Sequence, residues 1–247
     1  MSLLSPDIRV ALLPDRAGVA ARGHAPLVRE AGEGGLAALD ALLAESKAKG
    51  RARVTLSHHH ARLFLVPAPA VWLREREMRP WLEAQLAEAL GGGAHWRLTW
   101  DLTPPGRPIL VAAVETGLLD PLAATLARHG STLAGARPWL AAAWNKRQKL
   151  GRANGWYALL EPGRMTLLRL AGGQPVSLRQ RQTEAGGDVA DELRALLTRE
   201  SLLAGVADAG DLWLERTGVS SDWACLRGSH AVRELAGPSD PALALLS

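Results

Sequence analysis

The chain has 247 residues, 47% of them hydrophobic and 22% charged, a balance that excludes a disordered polypeptide and allows one large domain or two smaller ones with real cores. Its formal net charge of +4 is too small over this length to single out nucleic acid as a partner. The single cysteine, Cys225, excludes an internal disulfide framework and fits a reducing compartment.

Asp7 and Arg9 interrupt any apolar core at the start of the chain, so it does not read as a signal peptide. No run approaches the roughly 20 apolar residues that a bilayer span needs. The expectation is a cytoplasmic protein that reaches a membrane only through a partner.

After a short lead to Pro6, three extended runs are expected: Val10 to Leu13, a short run to Ala20, and a third near Leu27 and Val28, punctuated by Pro14 to Arg16 and Gly23. Short apolar runs separated by proline and glycine favour hairpins over helices. A helix follows over Leu36 to Ala48, with Leu36, Leu39, Leu42 and Leu43 on one face, and then strands at Ala52 to Leu56 and Leu63 to Val66, linked through His58, His59 and His60. Leu73 to Leu90 reads as a long helix and Trp96 to Leu102 as a half-buried alternating strand. Ile109 to Val114 is apolar throughout and is expected at the centre of a sheet. With the helix Leu118 to His129 and the strand Ser131 to Ala136 it reads as a parallel crossover unit. Pro138 opens a helix over Trp139 to Leu150.

The second half repeats the opening. Ala158 to Leu160, Met165 to Leu170 and Val176 to Gln182 are separated by turns at Glu161 to Gly163 and at Gly172 and Gly173. A helix from Val189 to Leu203, with Asp188 as its cap, and a strand at Asp211 to Leu214 follow. Two copies of meander, helix and strand imply an α/β chain built by duplication. The expected domains are a first lobe over 7–150 with inserted or crossover elements, a second over 155–236, and a tail over 237–247.

Few residues have the spacing that chemistry needs. His58 and His60 would point the same way along an extended segment and are candidate metal ligands, but no Cys or paired carboxylate nearby completes a set, and solvent-facing histidines are the plainer expectation. For a nucleotide, the candidates lie in the two hairpin turns, Asp15 and Gly18 in the first and Glu161 and Gly163 in the second; both turns lack a run of small residues, and proline removes an amide. Glu115 at a strand end is the best single carboxylate, while Cys225 reads as a core thiol with His230 nearby and no third member. No catalytic constellation emerges. The basic residues Lys146, Arg147, Lys149, Arg152, Arg179 and Arg181 are candidates for a partner surface, without the interleaved aromatics that bases require. Of nine tryptophans most are expected in cores, with Trp72 and Trp213 left partly exposed as protein-binding anchors.

The phrases LLPDRAG, VTLSHHHARLFLVPAP, WLEAQLAEALG, PILVAAVETGLLDPLAATLARHG, RPWLAAAWNKRQKL and WYALLEPGRMTLLRL, in this order between Ile8 and Leu214, together resemble the actin-like proteins of type IV pilus and type II secretion assembly, the PilM family and the cytoplasmic part of GspL. The resemblance implies a duplicated ribonuclease-H-like, or actin-like, fold with two lobes of mixed sheet flanked by helices. It also implies a cytoplasmic scaffold that binds the cytoplasmic segment of an inner-membrane protein or an assembly ATPase; a homodimer is a separate expectation for this chain. Pilus members bind ATP with magnesium through glycine and acidic motifs in their hairpin turns. Asp15 to Gly18 and Glu161 to Gly163 depart from that pattern, so the expectation is a nucleotide-free adaptor, with weak ATP binding between the lobes as the alternative. The secretion-type proteins carry a membrane helix after their cytoplasmic part; with no such run between Met1 and Ser247, this chain is expected to reach the membrane by binding.

Overall fold

The computed structural model describes residues 8–32, 34–91, 95–101, 104, 106–147, 154–184, 186–205, 210–227, 229–235 and 237–247. The chain forms two compact units, Met1–Lys146 together with Leu245–Ser247, and Arg147–Ala244. The expected lobe boundary at 150–155 thus falls a few residues earlier, and the last three residues join the first unit.

In the first unit β1 (Ile8–Leu12), β2 (Arg16–Ala21) and β3 (Leu27–Glu30) form the antiparallel meander. Then come α1 (Gly35–Ser46), β4 (Gly50–Leu56) and, much later, α3 (Thr116–Arg128) and β8 (Ser131–Pro138). The sheet order is β3-β2-β1-β4-β8, with β1–β4 and β4–β8 parallel. Leu39, Leu42 and Leu43 of α1 and Leu122 and Leu126 of α3 close over Val10, Leu12, Val54 and Leu56 as one core. Spacings of three and four on the helices meet the period of two on the strands, so one stripe of each is buried.

The second unit repeats this order. β9 (Gly155–Glu161), β10 (Arg164–Ala171) and β11 (Gln174–Gln182) form the meander, followed by α5 (Val189–Ala204), β12 (Asp211–Arg216), the short α6 (Ala224–Arg227) and β13 (Ala231–Leu235). The sheet order β11-β10-β9-β12-β13 matches that of the first unit strand for strand. Asp188 caps α5 by accepting from the Ala190 N–H at 2.9 Å, as its position in the sequence predicts. The Trp223–Leu226 segment lies at α6, and β13, which the sequence reading missed, closes the sheet. Gly155 is tied to this closure: a Cβ there would lie 2.2 Å from the Asp211 carbonyl oxygen, and its φ is 140°.

The crossover expectation needs correction. Ile109–Glu115 (β7) is central, but in a separate three-stranded sheet, β5-β7-β6, where it pairs antiparallel with β5 (Arg62–Val66) and β6 (Trp96–Trp100). The true parallel partners are β4 and β8, and the β5–β7 segment with α2 (Glu75–Leu90) is inserted into their connection. Local sequence cannot distinguish the two pairings, because β7 and β8 flank α3 in either case. Leu82, Leu86 and Leu90 of α2 cover this small sheet over Leu98, Val111 and Ala113.

The expected tail is also overturned. α4 (Trp139–Lys146) ends the first unit's main segment, and the chain closes with α7 (Pro241–Leu246), whose Ala242, Ala244, Leu245 and Leu246 are all buried. The proline and small residues that suggested a flexible end instead start a helix with an apolar face.

Gly155→Ala is expected to cost about 2–3 kcal/mol, since backbone must move to admit the methyl group. Gly117→Ala, in open space at the start of α3, is expected to stay within about 0.5 kcal/mol. Urea unfolding midpoints at unchanged slope decide between these outcomes.

Candidate functional site

The first hairpin turn is built from Leu13, Pro14 and Asp15. The Leu13 N–H donates to the Arg16 carbonyl at 3.0 Å, and the Pro14 carbonyl accepts from the Gly35 N–H at 2.8 Å. The latter bond caps the start of α1, which has no side-chain cap there. Only glycine allows it, because a Cβ on Gly35 would lie 1.9 Å from the Leu13 carbonyl oxygen. The Asp15 carboxylate is held by Arg16 at 3.0 Å, and Arg16 reaches Glu30 at 2.7 Å. The Arg16 hydrogen bond holds the Asp15 carboxyl below the usual carboxylate range. Gly18, expected in this turn, lies inside β2, buried and paired with Ala11 and Val28.

The histidines stand beside this turn. Ser57 is buried and donates its N–H to the Leu12 carbonyl at 3.0 Å, and the His60 N–H closes a turn on the Ser57 carbonyl at 3.0 Å. His58 and His60 are therefore not alternate residues of an extended run. His58 is 3% exposed, contrary to the solvent-facing expectation, and its Nε2 accepts from the Leu140 N–H at 3.0 Å. Its ring lies 5.5 Å from that of Trp139. The imidazole is thus the acceptor for the first turn of α4, where helix amides lack partners, and this requires a neutral ring whose Nδ1 carries the proton. Burial pushes His60 below its ordinary range, partly opposed by a hydrogen bond to the Leu13 backbone. Its Nε2 is buried without a hydrogen-bond partner. Among the described residues no three His, Cys, Asp or Glu side chains are grouped to hold a metal ion.

The second turn is tighter. Pro162 and Gly163, the latter at φ 75°, connect β9 to β10 in the order that a tight turn with a positive-φ glycine favours. Glu161 is 1% exposed at the end of β9. Gly218 approaches both Pro162 and Pro241 so closely that a Cβ there would lie 3.0 and 2.7 Å from their ring carbons. The Thr217 N–H donates to the Leu160 carbonyl at 3.0 Å, the counterpart of Ser57 on Leu12: β4 aligns Leu56 with Leu12, and β12 aligns Arg216 with Leu160. In both turns a proline stands where a phosphate cradle would want an amide.

The expected basic surface divides. Arg147 donates through Nε and Nη2, both at 3.1 Å, to Glu215, which is buried and also accepts from the Tyr157 hydroxyl at 2.8 Å. Burial and the Glu215 charge push the Tyr157 phenol far up. Arg179 pairs with the buried Glu200 at 2.9 Å. Lys146 donates to Ser247 at 2.9 Å, Arg181 is exposed on β11, and Lys149 and Arg152 lie outside the described residues. Arg147 and Arg179 therefore neutralise buried carboxylates of their own unit rather than waiting for a partner.

Of the two tryptophan anchors, Trp72 is 75% exposed, as expected, whereas Trp213 is only 7% exposed. Trp213 sits on β12, between β9 and β13, in the interior of the second sheet. Cys225 is exposed, not in the core. Desolvation and nearby carboxylates push its thiol up, opposite to what a nucleophile needs. Glu115 is exposed where β7 meets α3.

Two outcomes test this geometry. Arg147→Ala is expected to cost about 2–3 kcal/mol by leaving Glu215 buried and unpaired, which chemical denaturation reads. Stability is also expected to depend on His60 and on His230, which burial lowers likewise. Their contribution is fully present above about pH 6.5, the ordinary histidine value, and is lost as pH falls toward the depressed folded values, because the unfolded chain takes up protons first. Melting temperatures between pH 7.5 and 5 should fall, and less so for His60→Gln.

No protein-family model and no curated protein sequence matches the chain. Solved structures do. A chain of the PilM–PilN type IV pilus biogenesis complex superposes with a TM-score of 0.66 at 15% identity, covering 94% of this chain and 88% of that one. A Bacteroides thetaiotaomicron protein with an actin-like ATPase fold and unknown function gives 0.62 at 10% identity, over 93% and 90%. The cytoplasmic domain of EpsL, an inner-membrane component of the type II secretion system of Vibrio cholerae, gives 0.59 at 15% identity, over 98% and 93%. With the repeated 3-2-1-4-5 strand order, this likeness establishes the architecture: the chain has the duplicated actin-like fold found in these pilus and secretion components.

Proposed function

We propose that this protein is a non-catalytic scaffold of a type IV pilus-like or type II secretion-like assembly. It acts at the cytoplasmic face and is recruited to the inner membrane by binding the cytoplasmic segment of an inner-membrane protein or an assembly ATPase. The observation that carries the reading is the state of the two hairpin turns. The first spends the Pro14 carbonyl on capping α1 and the Asp15 carboxylate on Arg16. The second places the Pro162 ring in close approach to Gly218. A turn that serves as a helix cap or a packing surface cannot also wrap a triphosphate without breaking those contacts. The company the fold keeps supports the same reading, since one neighbour was solved in a complex named for PilM and PilN and another is named as a secretion-system inner-membrane component.

Weak ATP binding is the second reading, favoured by the neighbour described as having an actin-like ATPase fold. Thermal melting with ATP and magnesium separates the two. A ligand at a hundred times its Kd stabilises by about 2.7 kcal/mol, so a bound nucleotide would shift the transition by several degrees, whereas the scaffold predicts no shift. Affinity capture from inner membranes of the source cell is expected to retain a single-span inner-membrane protein or an assembly ATPase; recovery of the chain alone counts against the scaffold.

A further inference from the structure

The face of the first sheet turned away from α1 and α3 carries a row of arginines. Val10, Leu12, Val54 and Leu56 point into the core beneath those helices. Successive strand residues alternate between faces, so Arg9 of β1 and Arg53 of β4 lie on the opposite one, where they are direct partners in the parallel register. Arg137 of β8 joins them: it is aligned with Thr55, one diagonal step from Arg53. Neighbouring strands are about 4.8 Å apart, so three side chains as long as arginine's can reach one point.

Nothing described on this face offsets them. Its one carboxylate among the described strand residues, Glu30, belongs to the edge strand β3 and is held by Arg16. The helix that follows Arg137, α4, contains no acid. Arg16, Arg29 and Arg128 of the same unit pair with Glu30, Glu45 and Asp40, whereas Arg9, Arg53 and Arg137 make no ion pair among the described residues. Arg9 and Arg53 are exposed and Arg137 is half-buried, with its Nε buried and without a hydrogen-bond partner. Burial, and then the Arg53 and Arg9 charges, push the Arg137 guanidinium down from its ordinary range. Arginine does not escape such a setting by losing its proton, so the repulsion stands until an anion relieves it.

The number of charges selects the anion. A carboxylate has one charge and two oxygens, fills one guanidinium fork and leaves two arginines uncompensated. A phosphate dianion brings two charges and enough oxygens to accept from three forks at once.

We propose that Arg9, Arg53 and Arg137 form a binding site for a phosphate dianion, free or as the terminal group of a small phosphomonoester. Arg9 lies three residues before Leu12 on β1, about 10 Å along the strand from the first hairpin turn, and none of the three arginines takes part in that turn. The site is therefore independent of the scaffold reading. Because ATP also ends in a phosphate, ATP melting on the Arg137→Gln variant separates the two: a shift that persists there belongs to the turns.

Calorimetric titration of inorganic phosphate into the full chain, in dilute chloride buffer at slightly alkaline pH, tests it. The wild type is expected to bind one phosphate saturably. Arg9→Gln, Arg53→Gln and Arg137→Gln should each weaken binding about tenfold, the loss of one charge-assisted contact. Arg181→Gln, which removes the same charge from an exposed position on β11, should leave it unchanged. In phosphate-free buffer the three variants should melt no lower than the wild type, since each relieves repulsion, and added phosphate should raise the melting temperature of the wild type more than theirs. Arginines that served the fold alone would give the reverse order. Glycerol phosphate identifies the source: tighter binding than inorganic phosphate assigns the site to an ester, weaker binding to the free ion. Absence of saturable binding overturns the proposal, as does an equal loss in Arg181→Gln. So does an oligoglutamate peptide, or a phosphatidylglycerol vesicle, that binds through these three arginines when phosphate does not.

Discussion

One buried hydrogen bond, made twice, sets most of what this protein can do. Where β4 leaves the first sheet the Ser57 N–H donates to the Leu12 carbonyl, and where β12 leaves the second the Thr217 N–H donates to the Leu160 carbonyl. Each extends a parallel pair by one rung and carries a loop to the base of a hairpin turn. In the first unit that loop holds the three histidines; in the second it brings Gly218 against Pro162. The turns are thereby supported from below, and their polar groups are spent on the protein itself. A buried amide left without its acceptor costs about 1–3 kcal/mol, so neither loop can leave its turn at small cost.

The same economy governs the charged residues. Glu215 and Glu200 are nearly inaccessible, and a buried carboxylate persists only when paired and hydrogen-bonded. Arg147 and Arg179 meet that need from 68 and 21 residues away. Two members of what looks like a basic surface along the chain, Arg147 and Arg179, are therefore internal compensation. The small net charge of +4 agrees with a surface that has no strong field to offer.

The two units differ chiefly in what the connection between their last parallel strands contains. Between β12 and β13 there is a loop and α6, whereas between β4 and β8 there is a complete small sheet with its own helix and core. An insertion of this kind leaves the parent sheet undisturbed, because it enters and leaves at neighbouring points and buries its own apolar face. It also carries Trp72, the most exposed tryptophan among the described residues.

By itself the sequence determined the local elements. Alternation and proline or glycine punctuation placed both meanders, the leucine stripes placed α1, α2, α3 and α5, and Asp188 announced its cap, because each signal depends on residues within one or two turns of one another. The order of elements revealed the duplication for the same reason. Tertiary structure alone decided the pairings across long separations. β7 joins β5 and β6 rather than β8, Trp213 is buried on an interior strand, and 241–246 is a buried helix. His58 becomes the acceptor for the Leu140 amide of α4, 82 residues later. Such facts depend on which surfaces meet, and a chain read residue by residue records the surfaces without recording their partners.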